Sequence, residues 1–409
     1  MQYNTLSSIN RENCRNSVGN IYGIIGAVIG DIVGSRFEFK GKTFAKHNFK
    51  IFGSSDKFTD DSIMTVAIAD ALMHGKDFQS SMLEWGHRYP NGGWAGGFRH
   101  WLKSTDPQPY GSAGNGSGMR VSAAGFCAET IDEALDLAKK TALPTHGSED
   151  GIAGAQAIAS AIFLAKQKTP KPEIKQYIES AFSYSLDGDT EKIQDAVRLM
   201  RLIPKQTFLA KTATPIAIMA FLNGNDYEDV IRTAVTYGCD TDTVACMAGG
   251  IAAAYYGVPL DLAKRAADYI SDDMLAIINE FDGTSLASRH ITPRSIHEWS
   301  RECVIVYGRN VNEREHGEDG AFEVYSWSNR FTREGYPIRT IGADFKQTSE
   351  DVKAFVSYVD EHPEKVFLVM KVGIHKAGIP VEQIAPLFEP LRRKSNVYLP
   401  AEYIAYYDR

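Results

Sequence analysis

The sequence predicts a compact all-α domain followed by a small α/β domain, and three observations carry that reading. From residue 21 to about 285, apolar residues recur at helix periods and strand-like runs are scarce. After about residue 300, strand-like and helical segments alternate, as in a parallel sheet with crossover helices. At 409 residues the chain also exceeds the usual size of one domain.

The elements follow in order. Residues 1–20, MQYNTLSSINRENCRNSVGN, are polar, lack the apolar core of a signal peptide and read as a loose tail. Helices are predicted for GIIGAVIGDIVG, DDSIMTVAIADALMHG, TIDEALDLAKKTA, DGIAGAQAIASAIFLAKQ, KPEIKQYIESAFSYS, PIAIMAFLNG, YEDVIRTAVTYG, DTVACMAGGIAAAYYG and LDLAKRAADYISDDMLAIINEF. Between them, YPNGGWAGGF and PQPYGSAGNGSGM read as loops because of their Gly, Pro and Asn. Small residues inside several helices imply close backbone packing. The pattern changes over 286–300. CVIVYGRN then reads as a strand with a turn, SEDVKAFVSYVDEHP as a helix, VFLVMKVG as a strand, VEQIAPLFEPLRRKS as a helix and NVYLPAEY as a final strand. The expected domains are a tail at 1–20, an all-α domain at 21–290 and a small α/β domain at 301–409.

Composition narrows the function classes. A hydrophobic content of 44% with 23% charged residues is that of an ordinary globular protein. The net charge of -7 and the absence of a Lys/Arg stripe argue against a nucleic-acid partner. Five scattered cysteines without a CxxC spacing fit reduced thiols in a cytoplasmic protein. No apolar run reaches the roughly 18 residues of a membrane span, since Asp31 interrupts IYGIIGAVIGDIVG. Oligomeric state is open.

Two short motifs carry the chemistry. Thr59-Asp60-Asp61-Ser62 opens one helical run and Asp240-Thr241-Asp242-Thr243 opens another. An oxygen-only donor set without Cys or clustered His suits Mg²⁺, Mn²⁺ or Ca²⁺ rather than Zn²⁺. Four carboxylates balance two divalent ions, and without cations they would repel and stay partly protonated. The plainer alternative is capping: Thr59 and Thr241 are ordinary helix-start residues, and acids favour a first turn. Asp31, inside an apolar helix, reads as a buried structural partner. Gly114, Asn115, Gly116, Ser117 and Gly118 have the composition of a backbone-amide cradle for a diphosphate, or of a plain flexible loop.

In this order, GAVIGDIVGSRFE, FTDDSIM, RYPNGGWAGGFRHWLKS, AGNGSGMRVSAAG, LPTHGSEDGIAGAQAIA and YGCDTDTVACMAGGIAAAYYG resemble the motifs of the ADP-ribosylglycohydrolase family, of the dinitrogenase reductase-activating glycohydrolase type. The likeness covers about 21–285. It implies an all-α fold and a magnesium-dependent hydrolase with a binuclear metal site of two Mg²⁺, Mn²⁺ being possible. Such an enzyme cleaves ADP-ribose from an ADP-ribosylated protein or a small ADP-ribosyl conjugate. By position it makes Thr59, Asp60, Asp61, Asp240, Asp242 and Thr243 the metal-binding residues. Glu38 and Asp61 become the candidate catalytic carboxylates. Gly114 to Gly118, with Met119 and Arg120, become the substrate cradle, and His146 is placed at the ribose or diphosphate. Trp94, Phe98 and Trp101 would flank the acceptor or the adenine, or belong to the core. Ser62 stands where Thr is more usual, and Cys239 where a small residue is common. ADP-ribosyl-arginine is the first acceptor expected. The alternatives are a non-catalytic ADP-ribose reader with a regulatory or immunity role, and a dimetal phosphoesterase, which would normally recruit more His.

Residues from about 302 onward resemble a small phage-associated α/β domain. Its Cys-Gly turn is missing at Val372-Gly373-Ile374-His375. Tyr307-Gly308-Arg309-Asn310 and Val372-Gly373 are expected either to line a nucleotide pocket or to be ordinary turns. A recognition module that selects the substrate is the expected role.

Overall fold

The structure, a computed structural model, describes residues 19–38, 44–53, 55–292, 303–310, 322–323, 334–374 and 377–407. The tail through residue 18 with Cys14, the segment 39–43, and His375 lie outside the described residues. The chain divides into two compact units, Met1–Ala287 and Ser288–Arg409.

The first unit is helical: α1 (Ile25–Ser35), α2 (Asp60–His74), α3 (Phe78–Arg88), α4 (Gly96–Leu102), α5 (Gly116–Met119), α6 (Ser122–Cys127), α7 (Ile131–Ala142), α8 (Glu149–Lys166), α9 (Lys171–Phe182), α10 (Thr190–Met200), α11 (Ala210–Asn223), α12 (Tyr227–Tyr237), α13 (Thr241–Tyr256), α14 (Leu260–Ala266) and α15 (Asp272–Asp282). A short antiparallel pair, β1 (Asn20–Ile21) with β2 (Val258–Pro259), ties the start of the unit to the end of α13.

α1 is apolar all round, and every one of its residues is buried, so it is the axis of the unit. Its glycines recur every fourth residue and form one face. A β-carbon on Gly30 would lie 2.0 Å from the Ala245 carbonyl oxygen, and one on Gly34 2.3 Å from that of Thr241. α1 and α13 therefore touch backbone to backbone. The Thr241 hydroxyl donates to the Gly34 carbonyl (3.0 Å), fixing the start of α13 on the end of α1. At the other end of α1, the Asp282 carboxylate accepts from the Ile24 and Ile25 amides at 2.8 and 3.0 Å. It satisfies donors that a helix start leaves open.

The predicted helix LDLAKRAADYISDDMLAIINEF is two helices, α14 and α15. Ile270 and Ser271 are extended between them. The Tyr89 hydroxyl pins the break by bonding Ser271 Oγ (2.5 Å) and donating to Asp273 Oδ1 (2.6 Å). The helix predicted from Pro215 begins earlier, at Ala210, whose amide donates to the Ala113 carbonyl (2.9 Å). α3, α4, α6 and α10 add to the runs read from periodicity. α4 and α6 are short and contain Gly, whereas α3 and α10 mix their apolar residues with many polar and charged ones and bury only a few positions.

Three lysines around the end of α8 each close the carboxyl end of another helix. Lys166 Nζ donates to Phe126 O (2.7 Å) and Ala128 O (2.6 Å) behind α6. Lys168 donates to Ala254 O (3.1 Å) of α13. Lys171 donates to Phe221 O (2.7 Å) and Leu222 O (3.1 Å) of α11. A cation at the negative end of a helix dipole satisfies open carbonyls and stabilises the last turn.

The second unit contains β3 (Val304–Asn310), β4 (Phe322–Glu323), β5 (Glu334–Ile341), α16 (Phe345–Glu361), β6 (Phe367–Val369), α17 (Val381–Phe388), β7 (Val397–Tyr398) and α18 (Ala401–Tyr407). The sheet order is β4-β5-β3-β6-β7, parallel except for β4. Val306, Ile338, Phe355, Phe367 and Phe388 are among its core residues. β5 does not follow from the sequence pattern, because Pro337 breaks a strand signal. Among the described residues, Pro337 lies beyond Glu334 and Gly335, the β5 residues paired to β4. Gly308-Arg309-Asn310 continue β3 rather than turn, whereas Gly373 does turn, at φ 78°.

The glycine seam gives a direct expectation. Gly30→Ala should lower stability by at least about 2 kcal/mol in urea unfolding, because the added methyl must push two backbones apart. Gly96→Ala, with no atom within 4 Å of the added β-carbon, should stay within about 0.5 kcal/mol of wild type.

Candidate active site

The two acidic motifs meet at the starts of α2 and α13, beside the middle and end of α1. Thr59 caps α2, its hydroxyl accepting from the Asp61 amide at 3.4 Å. The second motif does not cap its helix in this way. Asp240 stands at the capping position without a side-chain cap bond, and the Thr241 hydroxyl is spent on Gly34. Asp240 instead accepts from Asn115 Nδ2 at 2.6 Å, which joins the acidic cluster to the Gly-rich segment.

Asp31, fully buried on α1, is the organising acid. It accepts from the Thr59 amide (2.8 Å), the Thr59 hydroxyl (2.7 Å), the Ser62 amide (3.1 Å) and the Ser62 hydroxyl. These donors explain how an acid survives inside an apolar helix. Asp31 also belongs to the cluster itself. One oxygen each of Asp31, Asp61 and Asp242 lie within 4.8 Å of one another, and so do one each of Glu38, Asp240 and Asp242. The two triads share Asp242. Spacing alone offers Asp31 only as a structural partner; its place in a triad comes from the α1–α13 contact.

Thr59 and Thr243 both direct their hydroxyls to Asp61 Oδ2 at 3.3 Å. Asp61 Oδ1 is buried and has no hydrogen-bond partner. Asp60 is half-buried and outside both triads, and a β-carbon on Gly93 would lie 3.4 Å from its Oδ1. No Lys or Arg is bonded to Asp31, Asp61, Asp240 or Asp242 among the described residues. The electrostatic result is a set of carboxyls all pushed upward. Burial, then Asp242 and Asp60, raise Glu38 to about 9. Burial raises Asp60 and Asp240 to about 7. Asp31, Asp61 and Asp242 are raised by burial first, and Asp61 and Asp242 next by their acidic neighbours. An orphaned buried carboxylate oxygen amid oxygen-only donors fits a hard divalent cation.

The Gly-rich segment is not an open loop throughout. Gly116–Met119 form one helical turn, α5. The Ser117 hydroxyl points inward to Gly151 O (2.7 Å), so this residue has only its backbone to offer a ligand. Met119 is buried, and its carbonyl accepts from Thr65 Oγ1 at 3.2 Å. Gly114 and Gly116 face His146: a β-carbon on Gly116 would lie 3.0 Å from its Nε2. Arg120 is buried behind the turn. Trp94, Phe98 and Trp101 are buried and packed on one another, with ring centroids 5.1 and 5.2 Å apart, so they belong to the core. Cys239 is buried with its thiol on Thr207 O (3.3 Å).

A mostly helical unit with an acidic cluster at its centre and a Gly-rich turn beside it defines a class, and comparison with known proteins names it. The ADP-ribosylglycohydrolase family model matches residues 21–289, and the chain belongs to that family. It is 26% identical over 283 residues to ADP-ribosylhydrolase ARH3 of Mus musculus, covering 54% of this chain and 75% of that protein. It is 25% identical over 268 residues to the ADP-ribosylarginine hydrolase Tri1 of Pseudomonas putida, covering 58% of this chain and 70% of that one. A solved structure titled ADP-ribosylglycohydrolase-related protein complex aligns with a TM-score of 0.47 and 23% identity, over 65% of this chain and 97% of its own. The chain is thus an enzyme of the ADP-ribosylglycohydrolase type. No helix among the described residues is long and apolar enough to cross a membrane.

The raised carboxyls set a pH dependence. Their folded pKa values lie above the unfolded ones, so the folded state holds protons that the unfolded chain releases. The contribution of these groups to stability is fully present below the ordinary carboxylate range and is lost as pH rises through about 7 for Asp60 and Asp240 and about 9 for Glu38. Cation-stripped protein should melt several degrees lower at about pH 8.5 than at about pH 5.5, and added Mg²⁺ should remove most of that difference.

Proposed function

We propose that this chain removes ADP-ribose from a modified acceptor with the help of two divalent cations, Mg²⁺ first and Mn²⁺ as a substitute. The observation that carries the reading is the pair of carboxylate triads sharing Asp242, linked through Asn115 to the Gly-rich turn. Thr59, Asp60, Asp61, Asp240, Asp242 and Thr243 would hold the cations, with Glu38 and Asp31 completing the triads. Bound cations supply Lewis acidity, which neutralises the carboxylates, polarises ribose oxygens and makes water more acidic.

The chain's own residues do the rest. The Gly114–Gly118 segment and His146 receive the diphosphate and ribose, setting the anomeric carbon beside the acidic cluster. Asp61 and Glu38 are the two carboxylates placed to take a proton from the attacking water. Asp61 has a free buried oxygen for it, and Glu38 is half-buried at the edge of its triad. As the glycosidic bond breaks through an oxocarbenium-like state, the bond electrons leave with the acceptor, the water oxygen bonds the anomeric carbon, and the proton taken from that water by Asp61 or Glu38 passes to the departing acceptor. Arginine is put first as acceptor because guanidine is strongly basic, and because the Pseudomonas relative is named for ADP-ribosylarginine. Residues 301–409 are assigned the selection of the modified partner. A non-catalytic reader has no need of two complete triads.

The test is release of free ADP-ribose from arginine-modified protein, with serine-modified protein and O-acetyl-ADP-ribose beside it. Release should require Mg²⁺, stop with EDTA and fall at least about 100-fold in Asp60→Ala and Asp242→Ala. ADP-ribose binding without release from any substrate would replace the hydrolase with a reader. Removing residues 301–409 should change the ranking of protein substrates; an unchanged ranking would end the recognition assignment.

A further inference from the structure

Arg120 is one of the largest fully buried side chains of the protein, and no carboxylate bonds to it among the described residues. Its guanidinium donates from one terminal nitrogen to Thr141 O (2.9 Å) and Thr145 Oγ1 (2.7 Å), while its Nε is buried without a partner. A buried, unneutralised cation is expensive, so its place calls for a reason beyond packing.

That reason lies one bond further on. Thr145 Oγ1, also fully buried, sits 2.8 Å from His146 Nδ1. Arg120 carries only donors, so one lone pair of the Thr145 oxygen is taken. The described residues offer this hydroxyl no third partner. If Nδ1 bore a proton, it would fill the second lone pair and leave the hydroxyl hydrogen buried with nowhere to go. The bond is satisfied only when the hydroxyl donates and Nδ1 accepts. The ring proton then sits on Nε2. That nitrogen has no hydrogen-bond partner among the described residues, and it faces the turn: β-carbons on Gly116 and Gly114 would lie 3.0 and 3.6 Å from it.

We infer that Arg120 and Thr145 are positioning residues that lock His146 as a neutral Nε2–H donor, aimed at an acceptor oxygen of the ligand in the Gly114–Gly116 turn. The inference rests on the turn being the ADP-ribose cradle, and the acceptor is a phosphate or ribose oxygen. Burial and the adjacent guanidinium both hold the ring below its ordinary pKa, which agrees with a neutral ring. The arrangement separates two tasks that a protonated histidine would combine. The positive field comes from a guanidinium that burial lowers to about 10, still charged at neutral pH, and the directed hydrogen bond from a ring that cannot accept from the ligand on that side.

The protein has ten histidines, so His146→Gln identifies the His146 signals in ring-nitrogen NMR of the full-length, ¹⁵N-histidine-labelled chain at about pH 7.5. The expected pattern without ligand is a neutral ring protonated at Nε2 in wild type and Thr145→Ser, lost in Thr145→Val. ADP-ribose titrated with Mg²⁺ in a calorimeter should bind roughly tenfold more weakly to Thr145→Val and within about twofold of wild type to Thr145→Ser. An Nδ1–H ring or an imidazolium in wild type overturns the inference. So does a Thr145→Val protein that keeps both the Nε2–H ring and full affinity. Failure of wild type to bind ADP-ribose would instead remove the proposed function, and the ligand-free ring pattern would still decide the tautomer.

Discussion

The side-chain-free contact between α1 and α13 is the constraint on which the rest of the first unit depends. With Gly30 and Gly34 facing Ala245 and Thr241, the start of α13 is drawn against the end of α1 at a distance that no β-carbon allows. Asp31, next to Gly30 on α1, then holds the start of α2 through four donors from Thr59 and Ser62. Two helix starts are thereby fixed around one buried acid. The carboxylates of both motifs converge because their helices begin at the same place, and the positive ends of those helices favour the anions gathered there. The site is therefore a property of three backbones before it is a property of any one ligand.

Convergence has an electrostatic cost. Six carboxyls lie in or beside the cluster, and Glu38, Asp60 and Asp240 stand far above their ordinary range. Such crowding disfavours the folded state wherever all the groups are charged, and it is tolerated in proteins where a counter-charge is part of the working state. The surrounding hydroxyls and amides hold orientation but cannot cancel charge. Arg120 is near the Gly-rich turn rather than bonded to the acids, so positive and negative charge stay apart. The cluster suits cations and the turn suits an anion, with Asn115 as the physical bridge between them.

How much of this was legible in the sequence depended on what each residue had to do locally. Asp60, Asp61, Asp240 and Asp242 stood out because two acids and two hydroxyls exceed what a helix cap needs. The helical runs were legible where small and apolar residues continued without a Pro break over three turns or more, as in α2, α8 and α13, which are buried on nearly every face. The tertiary duties were not legible. Thr241 looks like a capping residue, yet its hydroxyl goes to Gly34, a partner 207 positions away in the chain. Ser117 looks like a cradle hydroxyl, yet it faces Gly151 inside the unit. Thr145 carried no signal, because its role exists only between Arg120 and His146, which come together through folding. β5 was hidden by Pro337, which breaks the strand signal of the run around it.

The lysine fastenings at the end of α8 have a consequence of their own. α11 and α13 start at the Gly-rich turn and the acidic cluster and finish at Lys171 and Lys168, a helix length away from the site. Acylation of these lysines would strip the bonds that close several helices while leaving every oxygen of the cluster intact. The protein therefore carries its wear and its work at opposite ends: damage by electrophiles would be read as shortened lifetime, with the surviving molecules turning over as before.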